Sequence, residues 1–161
     1  MIKKLTILVL IIFGLTSCGY SPMYSSNNET NFEIYDLELK GDRQINNIIK
    51  SRLEKYFNNN KEKKYIIKVR TSYEKNSVTK DRTGSTTHFK LIVKLALDYK
   101  RVGVKQNEKE QNKQLSFSES TIIKKNQDNF EQNDYENITI KNISELLINK
   151  VILYLERSEW F

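Results

Sequence analysis

Thr87-His88-Phe89-Lys90-Leu91-Ile92-Val93-Lys94-Leu95-Ala96-Leu97-Asp98-Tyr99-Lys100 is the stretch that decides the fold. One parity carries Thr87, Phe89, Leu91, Val93, Leu95, Leu97 and Tyr99; the other carries His88, Lys90, Ile92, Lys94, Ala96, Asp98 and Lys100. Successive side chains of a strand point to opposite faces, so this stretch has an apolar face to bury and a mostly polar face to leave in water. Half-covered strands of this kind belong to antiparallel sheets. Upstream, Tyr65, Ile67, Val69, Thr71 and Tyr73 alternate in the same way with Lys64, Ile66, Lys68, Arg70 and Ser72. Lys80-Asp81-Arg82-Thr83-Gly84 joins the two as a hairpin tip, with Gly84 free to take a positive φ.

Working outward, Phe32 to Lys40 has strand composition, but Phe32 and Ile34 share one parity while Tyr35, Leu37 and Leu39 share the other, which predicts a bulged strand. Gly41-Asp42 breaks it, with Asp42 as a helix N-cap. Ile45, Ile48, Ile49, Leu53, Tyr56 and Phe57 then fall on one helical face, and Asn58-Asn59-Asn60 ends the helix. On the other side of the hairpin, Val104 to Lys113 is a charged, Gln- and Asn-rich loop. Leu115, Phe117, Thr121 and Ile123 predict a fourth strand, with Glu119 an exception to its apolar parity. Asp128 to Arg157 reads as a closing helix whose stripe is Ile143, Leu146, Leu147, Val151, Tyr154 and Leu155, widened by Ile140, Ile148 and Ile152. Its apolar arc is broader than the first helix's, so it should be the more buried of the two. The order β-α-β-β-β-α predicts an α+β two-layer sandwich: a mixed four-stranded sheet with both helices on one face and the other face open. A strand-helix-strand start makes the first two strands parallel if they are neighbours.

The chain opens with Lys3 and Lys4, an eleven-residue apolar run from Leu5 to Leu15, and then Thr16-Ser17-Cys18-Gly19. The run is signal-peptide length, short of the ~20 residues that span a bilayer. Leu15 three places before the cysteine, with small residues between, is what a lipoprotein signal peptidase cuts. Cys18 is therefore the expected lipidation site, cleaved at its N-terminal side and carrying diacylglycerol plus a third acyl chain such as palmitate. Two or more chains hold a protein stably on a bilayer. The residue after the anchor is Gly19 and not Asp, the usual inner-membrane signal, which points to the outer membrane of a Gram-negative cell, facing the periplasm. The expected organisation is a signal peptide over 1–17, an acylated tether over 18–30 containing Pro22, Tyr20 and Tyr24, and one domain over 31–161.

Removing residues 1–17 leaves 144 of the 161 residues and lowers the formal charge from +7 to +5. That balance suits an anionic partner, and export argues against nucleic acid. With one cysteine, no intramolecular disulfide can form. On the open sheet face the alternation gathers Lys68, Arg70, Lys90 and Lys94, with Lys80 and Arg82 at the adjoining hairpin tip. These six are the candidate residues for binding phosphates on a lipid head group, Arg supplying bidentate contacts. The plainer reading of the same residues is a strand face kept soluble by lysine.

Catalysis is not expected. His88 is the sole histidine, no Gly-rich phosphate loop exists, and Glu119, Asp128 and Glu131 have no motif around them. A His/Cys metal cluster is not expected either, nor any cofactor beyond the lipid on Cys18. Trp160-Phe161 closes the chain, to seat against a partner or a membrane interface or to fold back on the core.

Cys18-Gly19-Tyr20-Ser21-Pro22-Met23-Tyr24 resembles the start of the lipopolysaccharide-assembly lipoprotein (LptE) family in its alphaproteobacterial form. Thr86-Thr87 entering a strand that ends Leu95-Ala96-Leu97-Asp98-Tyr99, the Leu115-Ser116-Phe117 strand start and the closing amphipathic helix fit the same layout. One departure is that relatives have an alanine-rich last helix where this chain has Ile, Asn and Lys. The resemblance implies the two-helix, four-strand sandwich and a non-enzymatic outer-membrane lipoprotein. Such a protein plugs and helps assemble an LptD-type β-barrel and contacts lipopolysaccharide on its way to the outer leaflet. The implied partners are that barrel, lipopolysaccharide and the outer membrane through the anchor. The alternative class is a lipoprotein adaptor of an envelope lipid-trafficking transporter that makes no lipopolysaccharide contact.

Overall fold

The structure is a computed structural model that describes residues 31–103 and 112–158. The signal, Cys18 and the tether, most of the Val104 to Lys113 loop, and Trp160-Phe161 lie outside the described residues. In chain order come β1 (Phe32–Gly41), α1 (Arg43–Leu53) with a 3-10 turn at Glu54–Tyr56, β2 (Lys63–Lys80), β3 (Thr86–Val102), β4 (Lys113–Lys124) and α2 (Asn129–Arg157). The strands form one sheet in the order β1-β2-β3-β4. β1 runs parallel to β2, and the other two pairings are antiparallel. This is the α+β sandwich, with the β-α-β-β-β-α order, that the alternation dictates. No described helix is long and apolar enough to cross a membrane.

Local chemistry places the element ends. The Asp42 carboxylate accepts the Ile45 backbone N–H at 2.9 Å and starts α1. Asp128 does the same for α2, accepting from Phe130 at 2.7 Å and Glu131 at 3.1 Å. Each cap satisfies donors that the first helical turn leaves without partners. In β1 the register shifts between Ile34 and Asp36, and the bulged Tyr35 is 63% exposed. The extra residue brings Phe32 and Ile34 onto the same face as Leu37 and Leu39, which resolves the split parity of the sequence.

α1 is shorter than its apolar spacing predicts. The regular helix stops at Leu53, the chain tightens into the 3-10 turn, and Phe57 is extended and bridges to Ile34 of β1. Asn58 and Asn60 take left-handed backbone with φ of 57° and 48°, a conformation asparagine tolerates. Phe57 thus keeps its core contact as an edge residue beside β1 and not as a fourth helical turn.

The core lies between the helices and one sheet face. α1 contributes Ile45, Ile49 and Leu53, and β2 and β3 contribute Tyr65, Ile67, Val69, Val93, Leu95, Leu97 and Tyr99. α2 is the more buried helix, as its broad arc predicts, with Ile140, Ile143, Leu147, Ile148, Val151, Ile152 and Leu155 inside. Leu146 departs from the expected stripe: it is 48% exposed on the outward ridge of α2. At the end of the sheet where β1 begins, a row of rings ties every layer together. Tyr56 stacks on Phe32 at 4.9 Å, Phe32 meets Tyr65, Tyr65 meets Tyr99, and Tyr99 meets Tyr154 of α2, each of the last three at 5.9 Å. Edge-to-face pairs of this kind add about 0.5–1.5 kcal/mol each beyond area burial.

Candidate functional site

The open sheet face does carry Lys68, Arg70, Lys90 and Lys94, pointing away from the helices. Three of these four are matched by acids on the same face. Lys68 reaches Glu38 at 3.0 Å, and Lys40 reaches the same carboxylate at 2.6 Å. The hydrogen bonds from Lys40 and Lys68 hold the Glu38 carboxyl at about 2, well below its usual range. Arg70 donates to Asp98 at 3.1 Å, and Lys94 donates to Glu74 at 2.5 Å. Exposed pairs of this type contribute little to stability, but they consume the charge that an anionic ligand would need.

A group of cations without acidic partners stands at one end of the sheet. β2 and β3 continue past the end of β1, where Gly41 lies opposite Thr71, out to the turn between Lys80 and Thr86. Lys80 and Arg82 are exposed on that turn. Lys90 lies beside Asn76 and Ile122 across the strands, and His88 lies beside Lys124. The Lys125 backbone N–H bonds the Thr87 carbonyl at 2.8 Å, so the Lys124-Lys125 pair is held next to the hairpin. Among the described residues, none of Lys80, Arg82, Lys90, Lys124 and Lys125 has a carboxylate ion pair.

The one acid in the turn, Asp81, is turned inward. Its carboxylate accepts the Thr83 hydroxyl at 2.6 Å, the Thr83 N–H at 2.8 Å and the Ser85 N–H at 3.0 Å. The Thr83 hydroxyl leads these donors in holding the Asp81 carboxyl below its ordinary range. Asp81 N–H to the Ser85 carbonyl and Gly84 N–H to the Asp81 carbonyl close the loop, with Gly84 at φ 84°. The turn is therefore braced from inside, and Arg82 is presented outward. Exposed apolar side chains border the same end: Ile122 is 60% and Phe130 81% exposed. Cations beside apolar groups suit an amphiphile that carries phosphates.

Of the six expected binding residues, the structure thus gathers Lys80, Arg82 and Lys90 at the tip and leaves Lys68, Arg70 and Lys94 on a charge-balanced face. Lys124 and Lys125 were not singled out from the sequence. Their signal was a basic pair at a strand end, and only the β3–β4 register shows which end they join.

The carboxylates considered for acid-base work have structural partners. Glu119 pairs with Lys150 of α2, Asp128 caps α2, and Glu131 accepts from Asn126 at 2.7 Å. The His88 Nδ1 lies 3.1 Å from the Thr87 hydroxyl. No group of three metal-ligating side chains occurs among the described residues. A groove of about 610 Å³ runs between the outer faces of α1 and α2, lined by Arg43, Asn47, Ile48, Ile138 and Lys141 among others. A smaller cavity of about 320 Å³ beside Asp42 and Glu136 meets the Tyr73 hydroxyl, which is buried without a hydrogen-bond partner.

No protein-family model matches the chain, and no curated protein matches it. Solved structures do. The crystal structure of rare lipoprotein B from Shewanella oneidensis is similar with a TM-score of 0.55 and 11% identity, over 73% of this chain and 90% of that one. The solution structure of a lipoprotein B from Nitrosomonas europaea is similar with a TM-score of 0.50 and 9% identity, over 78% of this chain and 84% of that one. The chain therefore shares its fold, over about three quarters of its own length, with these two bacterial lipoproteins.

Proposed function

We propose that this chain is an outer-membrane lipoprotein of LptE type, anchored through Cys18, that plugs and helps assemble an LptD-type β-barrel and assists lipopolysaccharide insertion into the outer leaflet. The observation that carries the reading is the joining of a Leu15-Thr16-Ser17-Cys18 lipoprotein signal to a fold shared with bacterial lipoproteins. The protein acts by binding and not by catalysis. The cationic tip, built from Lys80, Arg82, Lys90, Lys124 and Lys125, contacts the phosphates of lipopolysaccharide, and Ile122 and Phe130 lie against its apolar part. Charge-assisted hydrogen bonds to phosphate are about twice as strong as neutral ones, and Arg82 provides the bidentate geometry. Phe32 enters the sheet beside Lys63, so the domain's first strand starts at the end farthest from the tip.

The test is an affinity pull-down of the acylated protein from detergent-solubilised outer membranes, with partners identified by mass. A stoichiometric β-barrel is the expected result. Recovery instead of an inner-membrane ATPase complex would replace this reading with the transporter-adaptor one.

A further inference from the structure

The core-facing line of α2 changes character along the helix. Ile140, Ile143, Leu147 and Val151 follow at helical spacing and are buried. One and two turns earlier, the same line of positions holds Glu136, Asn137 and Asn133. Polar groups turned toward a protein interior cost stability unless they are hydrogen-bonded. Here α2 passes the start of α1, and the two helices and β2 enclose the cavity of about 320 Å³ that Asp42, Tyr73 and Ile140 also line.

The protein uses only part of this lining itself. Glu136 accepts from Lys75 and, at 2.7 Å, from Gln132, in both cases through Oε1. Asp42 accepts the Ile45 N–H through Oδ1. Among the described residues nothing donates to Glu136 Oε2 or Asp42 Oδ2. Gln44 Nε2 donates to Asn137 Oδ1 at 3.3 Å, joining α1 to α2 beside the cavity. The Tyr73 hydroxyl is buried, and no group of the protein accepts from it. Burial, then the nearby Glu136 and Asp42 carboxylates, push its titration above the ordinary value.

Charge in the cavity is already settled. Lys75 neutralises Glu136, and Asp42 stands at the N-terminus of α1, whose dipole favours an anion there. A cation is therefore not required, and two carboxylates repel an anion, phosphate included. What is left is one hydroxyl donor, two carboxylate oxygens, and carboxamides that both donate and accept. An alcohol, like water, can accept from Tyr73 and donate to a carboxylate through one oxygen. The cavity has room for about ten water molecules, more than a bridging water takes and enough for one sugar ring. We infer that it binds a neutral sugar residue. One sugar hydroxyl bridges Tyr73 and a carboxylate, the carboxamides of Gln44, Asn133 and Asn137 hold its neighbours, and Ile140 meets a C–H face of the ring.

This site is separate from the cationic tip. Tyr73 packs on the helix side of the sheet, whereas Lys90, paired with Asn76 three residues further along β2, is on the open face. Charge selects phosphates at the tip and rejects them here. A sugar site is independent of the barrel partner proposed above, and its sugar comes either from the glycan of lipopolysaccharide or from a separate saccharide.

The experiment is saturation-transfer NMR on the full acylated chain in a non-glycosidic detergent, with two lipid-free probes: a neutral oligosaccharide cut from lipopolysaccharide and a neutral glucan oligosaccharide. Transfer to at least one probe is expected. Affinity should fall about tenfold in Tyr73→Phe, which keeps the ring, and in Asn133→Ala, whose side chain is exposed so that folding is not at stake. Transfer to the lipopolysaccharide probe alone supports the site and ties the sugar to the proposed ligand, whereas transfer to the glucan alone supports it and assigns a separate saccharide. Transfer to both supports a site that reads the ring and not its source. Transfer to neither, or transfer unchanged in both variants, would overturn the site and leave the cavity to water. Neither result bears on the barrel reading, which the pull-down tests.

Discussion

A Cβ built on Gly41 would lie 1.9 Å from the Thr71 carbonyl oxygen, with the backbone already at φ 106°. Neither the contact nor the dihedral admits another residue, because the obstacle is the backbone of the neighbouring strand. Gly84 differs: its φ is 84°, but a Cβ there meets nothing within 4 Å. Gly41→Ala should therefore lower the unfolding free energy by about 3 kcal/mol or more, and Gly84→Ala by about 1 kcal/mol. Urea denaturation of the two variants checks this, and equal costs would refute the close approach of β1 and β2. At this scale the sequence was legible where one residue acts on its own neighbours. Asp42 advertises a cap because its carboxylate serves donors three residues away. The partners of Lys68, Arg70 and Lys94 were not legible, because Glu38, Asp98 and Glu74 become neighbours only once strand order and register exist. Alternation tells which face a lysine is on and is silent about what lies across from it.

The elements are joined through side chains whose protonation the fold controls. The Tyr99 hydroxyl donates to Tyr154 at 3.0 Å, and the Tyr65 hydroxyl lies 3.0 Å from that of Ser158. Burial, then the hydrogen bond to Tyr154, pushes the Tyr99 hydroxyl well above its ordinary value of 10. Burial, then the Glu136 and Asp42 carboxylates, raises Tyr73 as well. A raised value means the folded state keeps protons that the unfolded chain releases near pH 10, so this stability is complete below that pH and is lost as pH rises through and beyond it. Urea unfolding between pH 8 and pH 11 should thus show stability falling, and falling less steeply in the Tyr73→Phe, Tyr99→Phe double variant. Identical slopes would show that these hydroxyls ionise as freely as in the unfolded chain. Helical spacing carried the buried arc of α2 but misplaced Leu146, which is 48% exposed on the outward ridge. It also ran α1 on to Phe57, because 3.6-residue spacing and an extended bridge can both deliver an apolar ring to Ile34. Tertiary pairing made that choice.

Across the whole molecule, charge is sorted along the long axis of the sheet. On the open face Glu38, Asp98 and Glu74 engage Lys68, Arg70 and Lys94, and Lys80, Arg82, Lys90, Lys124 and Lys125 stand nearer the hairpin, where Asp81 is turned into its own loop. The sandwich was legible from two periodicities and their order, and the basic character of the open side was legible with it. The division between a neutral face and a cationic tip was not, since it depends on how far β2 and β3 outrun β1. That division yields the sharpest test of the ligand site. Lys80→Glu with Arg82→Glu alters only exposed turn residues and should weaken lipopolysaccharide binding at least tenfold, since charge-assisted contacts contribute about 1.5–3 kcal/mol each. Arg70→Glu with Lys94→Glu removes the same formal charge from residues already engaged by acids, and should weaken binding less than threefold. Both variants are compared with the unaltered protein by titration at one ionic strength, then again at high salt, where the difference between them should shrink. If the face variant lost more than the tip variant, the pairs with Asp98 and Glu74 would have to open for the ligand, and the open sheet face would replace the hairpin tip as the binding surface.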